Sequence, residues 1–564
     1  MEDVLGHDEL KALLIDAGLV EEKDLELAEE RFRTSGGTFS QAIFWYSLVS
    51  DEELGRLMAD ALGVPYTDLS QRSIPDDVLR IIPEIVAKRR RVIAFAADSE
   101  GLHVAMADPR DLELKDFLEK KSGVPVIVSY ASERGLENAL TLYRKGVSQA
   151  FDDLIASDLE AAEKAGKETD PPIIRIVDTL ISYAYQNRAS DIHLEPREHD
   201  MLVRFRIDGM LVDIVKLPPT LHPQILSRIK VLGGLRTDEH KVPQDGKVQF
   251  PIEDREKIDV RVSIIPTTEG EKAVLRLLSD RSRQFSLANL GLDGDTLDTL
   301  KEAYSKPYGM VLVTGPTGCG KTTTLYAVLK LLNRRDVNIV TIEDPVEYDM
   351  DGVSQIQVNP EVNLTFATGL RSILRQDPNI ILVGEIRDGE TAGIAVNLAM
   401  TGHLVLSTLH TNDAATAIPR LIDLGIEPFL IASTVNVIVA QRLVRKIHEP
   451  CRVSEEFDAA DVMRQIGEEA FAAFFQDCPT GKVRLYHGKG CDACHGTGYE
   501  GRTGIFEMLV LDDELREAVT ASKDAGVIRD LAVKSGMRTL FEDGLAKAFR
   551  GLTTLDEVMR ATKE

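Results

Sequence analysis

No run of about 18 uninterrupted apolar residues, the minimum for a bilayer-spanning helix, occurs in the chain. The opening Met1-Glu2-Asp3-Val4-Leu5-Gly6-His7-Asp8 is acidic and has no signal-peptide core. Cysteine is scarce, five in 564 residues, which excludes a disulfide framework and suits metal ligation or free thiols in a reducing compartment. These features predict a cytoplasmic protein. Positive charge is also in deficit: 66 Lys+Arg stand against 92 Asp+Glu, a formal net charge of −26. A duplex-binding protein needs a basic face to displace counterions, so no nucleic-acid partner is expected. The short run Lys88-Arg89-Arg90-Arg91 reads as a solvated or interface patch.

What is present is a globular composition, with 43% hydrophobic and 28% charged residues and a mean hydropathy of −0.10. The length exceeds one core and calls for several domains. Residues 17–25 are echoed by 46–54, each copy reading as an apolar helix, a turn and a second amphipathic helix. Ser50 and Glu53 have capping-box spacing, so a helix should start there. Residues 91–96 and 102–107 alternate like strands around a turn at Asp98 to Gly101. The expected division is an N-terminal domain at 1–148 (helical repeat plus a small α/β part) and a charged linker at 149–172. An α/β domain at 173–285, of PAS-like type, precedes a RecA-like core at 286–445. A zinc-binding module at 446–510 and a helical region at 511–564 complete the chain. The fold class is therefore multidomain α/β.

The strongest motif is Gly315-Pro316-Thr317-Gly318-Cys319-Gly320-Lys321-Thr322, followed by Thr323. It fits G-x-x-x-x-G-K-[ST] between the apolar strand at 310–314 and a helix. Glycines let backbone N–H groups wrap phosphates, and the helix N-terminus adds positive dipole at the same spot. Lys321 would reach the β- and γ-phosphates of ATP, and the Thr322 hydroxyl can take a Mg²⁺ position. Two strand ends supply the carboxylates such a site needs: Glu343 to Glu347, and Glu385 to Asp388. His403 and His410 flank a further strand.

Cys491 and Cys494 form a C-x-x-C pair, and His448 and Cys451 an H-x-x-C pair about forty residues earlier. Three thiolates and one imidazole suit a closed, structural Zn²⁺ site. His487 and His495 are alternatives to His448, while Cys319 and Cys478 fall outside the spacing.

These motifs resemble the secretion ATPases of type II secretion and type IV pilus assembly along nearly the whole chain. Residues 341–348 look like that family's Asp box, 374–388 its unusual Walker B, and 402–412 its His box. Residues 189–196, 203–209 and 243–246 match the domain before the core; 501–507 and 536–540 match the end. The resemblance implies an ATPase that forms homohexamers, with ATP bound between that preceding domain and the core. Arginines would complete the site, with Arg204, Arg206, Arg261 and Arg276 as candidates. Glu343 would polarise the attacking water, Glu385 orient water or Mg²⁺, and His410 sense the γ-phosphate, with Glu347 beside them. The implied partners are inner-membrane platform and docking proteins, and the implied work is assembly of a pilin or pseudopilin fibre. Alternatives are a RecA-like motor for DNA uptake or transfer, and a nucleotide-gated scaffold with little turnover.

The sequence departs from the family twice. His448 stands where the first zinc pair usually has cysteine. The N-terminal repeat resembles modules that bind cyclic di-GMP, yet it has Glu9-Leu10-Lys11 and Thr38-Phe39-Ser40 where an Arg-Leu-Gly start is typical. Phe32 and Ala61 stand near the position of the closing Gln. Cyclic di-GMP is not expected to bind well, and the module reads as a docking domain.

Overall fold

In a computed structural model, the structure describes residues 4–20, 25, 28–29, 32, 38–45, 48–69, 72, 74–140, 142–143, 171–253, 256–278, 286–474, 481–491, 494 and 496–563. Most of the linker expected at 149–172, Cys478 and His495 lie outside them. The chain divides into two compact units. The first comprises Met1–Leu180, Ile447–Glu455 and Tyr486–Tyr499; the second comprises Ile181–Lys446, Glu456–Leu485 and Glu500–Glu564.

In the first unit, helices His7–Asp16, Phe39–Trp45 and Asp51–Leu62 bury Leu10, Leu14, Ile43, Leu54 and Met58 against one another. The Ser50 hydroxyl accepts from the Glu53 N–H, the Glu53 carboxylate accepts from the Ser50 N–H, and both arms of the expected capping box are present. A three-stranded sheet follows, of β1 (Val92–Ala97), β2 (Leu102–Met106) and β3 (Val126–Tyr130). β1 runs antiparallel to β2, and β2 parallel to β3. The Asp98 carboxylate accepts from the N–H groups of Glu100 and Gly101 and closes the expected turn. From helix Glu133–Leu140, the Arg134 guanidinium donates to the carbonyls of Pro450 and Arg452.

In the second unit, β4 (Asp191–Pro196), β5 (Met201–Ile207), β6 (Met210–Leu217), β7 (Gln244–Glu253), β8 (Glu256–Thr267) and β9 (Gly270–Leu278) form one sheet. Its order is β6-β5-β4-β9-β8-β7, with every neighbouring pair antiparallel. Asp208 and Gly209, both at positive φ, make the two-residue turn between β5 and β6.

The core sheet contains β10 (Gly309–Thr314), β11 (Ile339–Glu343), β12 (Val353–Gln357), β13 (Ile380–Val383), β14 (Leu404–Leu409) and β15 (Val435–Ile447). After the two-stranded pair β16 (Arg452–Asp458) and β17 (Lys482–Gly488), β18 (Tyr499–Val510) completes it. The order is β12-β11-β13-β14-β10-β15-β18, and the first six strands run parallel. Both faces are covered, as parallel sheets require. Met310 and Leu312 face one apolar cluster, and Val311 and Val313 the other.

Four helices end the chain, Asp513–Thr520, Ala525–Lys534, Leu540–Phe549 and Leu555–Thr562. Lys547, 2% exposed, donates to the Asp543 carboxylate at 2.6 Å and the Gly504 carbonyl at 2.7 Å. Asp543 in turn accepts from the Phe506 N–H. Lys547→Ala would strand a buried carboxylate, so a loss of about 3 kcal/mol in unfolding free energy is expected, read as a lower denaturant midpoint. An unchanged midpoint would refute that. Among the described residues no helix is long and apolar enough to cross a membrane.

Candidate functional site: a phosphate loop beside two strand-end carboxylates

The phosphate loop leaves β10 and enters helix Lys321–Leu332. Gly315 has φ +145°, and a Cβ there would lie 2.5 Å from the Gln441 carbonyl, so no larger residue fits. Gly320, at φ 89°, caps the helix. Lys321 is 9% exposed, and its ammonium donates to the carbonyls of Gly315 at 2.9 Å and Pro316 at 3.1 Å. Burial holds its pKa below the ordinary lysine value, partly offset by Cys319 and Glu385. Thr322 and Thr323 sit half-buried in the first turn. Cys319 is buried, which pushes its thiol pKa up. Gln441 on β15 braces the loop: its amide donates to the Cys319 carbonyl at 2.8 Å and accepts from Thr324 at 2.7 Å.

Strands β13, β14 and β10 are neighbours, so their carboxyl ends bring Glu385, His410 and Lys321 together. The Glu385 carboxylate accepts from Arg387 at 2.6 Å and pairs with His410 Nε2 at 3.1 Å. The hydrogen bond from Arg387 to Glu385 raises the Arg387 pKa above its ordinary value. Thr411 bonds Thr314 through its N–H at 2.9 Å and its hydroxyl at 2.6 Å, locking the ends of β10 and β14 together. His403 lies at the other end of β14, its Nδ1 on the Leu398 carbonyl at 2.9 Å.

Glu343 is the last residue of β11 and is 2% exposed. Its carboxylate accepts from the hydroxyls of Tyr326 and Thr341 and from the Gln355 amide. Glu347 pairs with Arg261 at 3.3 Å, and Arg261 also donates to the Val346 carbonyl at 2.9 Å. Of the four candidate arginines, Arg261 thus reaches the acidic loop of the core. Arg204 pairs with Glu195 at 2.7 Å, Arg206 with Asp191 at 3.5 Å and Arg276 with Asp191 at 3.0 Å. The sequence reading missed Tyr326, Gln355 and Gln441. Gln441 did carry a signal, as a polar side chain ending the apolar run 437–440.

In the first unit, the ligand atoms of His448, Cys451, Cys491 and Cys494 all lie within 4.8 Å of one another. The Cys451–Cys494 and Cys491–Cys494 sulfur separations are 4.0 and 3.7 Å. His448 Nδ1 lies 3.3 Å from the Cys451 sulfur and 3.5 Å from that of Cys491. A tetrahedron with Zn–S bonds of about 2.3 Å has sulfur edges of roughly 3.8 Å, so the four residues fit the ion. The Cys494 sulfur also accepts from the N–H groups of Cys491 and Gly498. His487 is not in the cluster.

A doubly covered parallel sheet, with this loop and Glu385 at its carboxyl edge, defines a RecA-like P-loop ATPase core. Residues 166–560 match the family described as type II/IV secretion system protein, and the chain belongs to that family. Residues 62–149 match the MshEN domain. The type IV pilus assembly ATPase PilB of Myxococcus xanthus is 38% identical, with 98% of each chain covered. Type II secretion system protein E of Xanthomonas campestris is likewise 38% identical, with 100% of each covered. The Yersinia pseudotuberculosis ATPase DotB shares the fold at 20% identity and a TM-score of 0.51, over 69% of this chain and 93% of that one.

Proposed function

We propose that this ATPase is the motor of a type IV pilus or type II secretion machine, and that it powers assembly of a pilin or pseudopilin fibre. The observation that carries the reading is the meeting of Lys321, Glu385 and His410 at adjacent strand ends. Lys321 exchanges the loop carbonyls for the β- and γ-phosphates of ATP, and the Thr322 hydroxyl takes a Mg²⁺ position. Glu343 polarises the attacking water, and Glu385 orients water or Mg²⁺. His410, bonded to Glu385, reports the γ-phosphate. Arg261, on the acidic loop, ranks first among the arginines that answer transition-state charge. His448, Cys451, Cys491 and Cys494 would hold a structural Zn²⁺ that staples their two chain segments.

The chain works as a homohexamer in the cytoplasm, against inner-membrane platform and docking proteins. The N-terminal module docks and does not bind cyclic di-GMP well. In support, Lys11 is already engaged by Glu29 at 2.7 Å. The test is Mg²⁺-dependent ATP hydrolysis across a range of protein concentration, with sedimentation alongside. Turnover per subunit is expected to rise as hexamers form. Full turnover by the monomer would overturn the assembled-motor reading.

A further inference from the structure

We propose that Tyr326 and Gln355 are the positioning residues of the hydrolytic carboxylate, holding Glu343 in place and tying it to the acidic loop at 344–352. The proposal rests on the reading that Glu343 polarises the attacking water. Three elements converge on this carboxylate. Tyr326, 1% exposed, lies on the helix that starts at Lys321 and donates its hydroxyl to one Glu343 oxygen. Thr341, on Glu343's own strand, donates to the other at 2.6 Å. From edge strand β12, the Gln355 amide nitrogen lies 3.4 Å from that second oxygen and 3.3 Å from the Tyr326 hydroxyl.

The same glutamine holds the acidic loop. Its nitrogen donates to the Tyr348 carbonyl at 3.2 Å, and its oxygen accepts from the Met350 N–H at 2.7 Å. The Tyr348 ring meets the Tyr326 ring edge-on, with centroids 4.7 Å apart. Burial, and the neighbouring Glu343, push the Tyr326 phenol pKa far above its ordinary value. Its hydroxyl therefore stays a proton donor at any working pH. The loop continues through Glu347 to Arg261. The helix that presents the phosphate-binding lysine and the domain that carries Arg261 thus both bear on one carboxylate.

A glutamate has three side-chain torsions, and a base displaced by about 1 Å loses on the order of a hundredfold in rate. A buried carboxylate fixed by donors from a helix, its own strand and an edge strand keeps one geometry. Neither Tyr326 nor Gln355 need touch nucleotide for this, so their effect should run through Glu343 alone.

The experiment is a pair of double-mutant cycles. Tyr326→Phe keeps the ring and its contact with Tyr348; Gln355→Met keeps length and volume. Each is made in the wild-type chain and in Glu343→Gln. The readouts are kcat and KM for MgATP, nucleotide affinity and unfolding temperature, with single-turnover rates for the slow variants. In the wild-type background each variant is expected to lower kcat about tenfold, with KM and affinity held within about twofold. In Glu343→Gln neither is expected to lower the rate further. The same fractional loss in both backgrounds would overturn the proposal, because a merely structural role acts with or without the carboxylate. Wild-type kcat in both variants, with Glu343→Gln inactive, would overturn the positioning role while leaving the base. Wild-type turnover in Glu343→Gln would sink the reading of Glu343 as base, and the proposal with it.

Discussion

Lys321→Ala is expected to lower ATP turnover by about three orders of magnitude or more, without lowering the unfolding temperature. The first half follows from charge. The phosphoryl group passes through a transition state with charge spread over its equatorial oxygens, and the loop lysine is the cation placed against it. Three orders of magnitude correspond to about 4 kcal/mol, the scale of a lost charge-assisted contact in a water-poor site. The second half follows from burial. Among the described residues Lys321 has no carboxylate within ion-pair distance, only two loop carbonyls. Burial depresses its pKa, because taking the ammonium out of water penalises its charged form. A lysine whose folded pKa lies below its unfolded value costs stability in full below the folded pKa, the cost fading as pH rises toward the unfolded pKa, and its removal relieves that cost. Alanine also suits the first turn of a helix. The contrast with Lys547 is instructive, since that ammonium is matched by Asp543 and its loss leaves a charge behind. Phosphate release together with calorimetry checks both halves. Retained turnover would remove Lys321 from the chemistry, and a clear fall in unfolding temperature would make it a structural residue.

How much of this was legible in the sequence depended on how local the physics was. The phosphate loop, the Ser50–Glu53 capping box and the turn at Asp98 to Gly101 are each closed by neighbouring residues, and their spacing states the geometry. The grouping of His448, Cys451, Cys491 and Cys494 was legible for another reason, because the paired spacing of thiolates and an imidazole suits a metal site. Partners set by strand order were not legible. β4 pairs with β9, about eighty residues later, and only that pairing sets Asp191 beside Arg276. Glu343 read as one of two acids at strand ends, but the strand includes Glu343 itself and its side chain is buried against Tyr326. The choice of Arg261 among four arginines likewise needed the register of β8 and the path of the acidic loop. The residues around Cys451 group with the N-terminal domain through Arg134, a contact across more than three hundred residues that no local pattern announces.

Loss of the metal ion is expected to unfold the module around it, at a cost of several kcal/mol. Gly488 and Gly498 approach so closely that a Cβ on Gly488 would lie 2.1 Å from the Gly498 carbonyl. Backbones packed at that distance leave no room for a side chain at either glycine. The N–H groups of Cys491 and Gly498 point at the Cys494 sulfur, an arrangement that stabilises a thiolate and orients it toward a cation. Purified chain should carry one Zn²⁺ per subunit. Cys451→Ser should lose it, whereas His448→Cys should keep it, since sulfur reaches the same vertex. Chelation should raise hydrogen exchange at 447–455 and 486–491. It should also raise exchange in helix Glu133–Leu140, because the carbonyls that Arg134 grips flank the Cys451 ligand. If exchange in that helix stays fixed while the metal leaves, then the Arg134 contact holds the turn unaided and the ion is not what orders it.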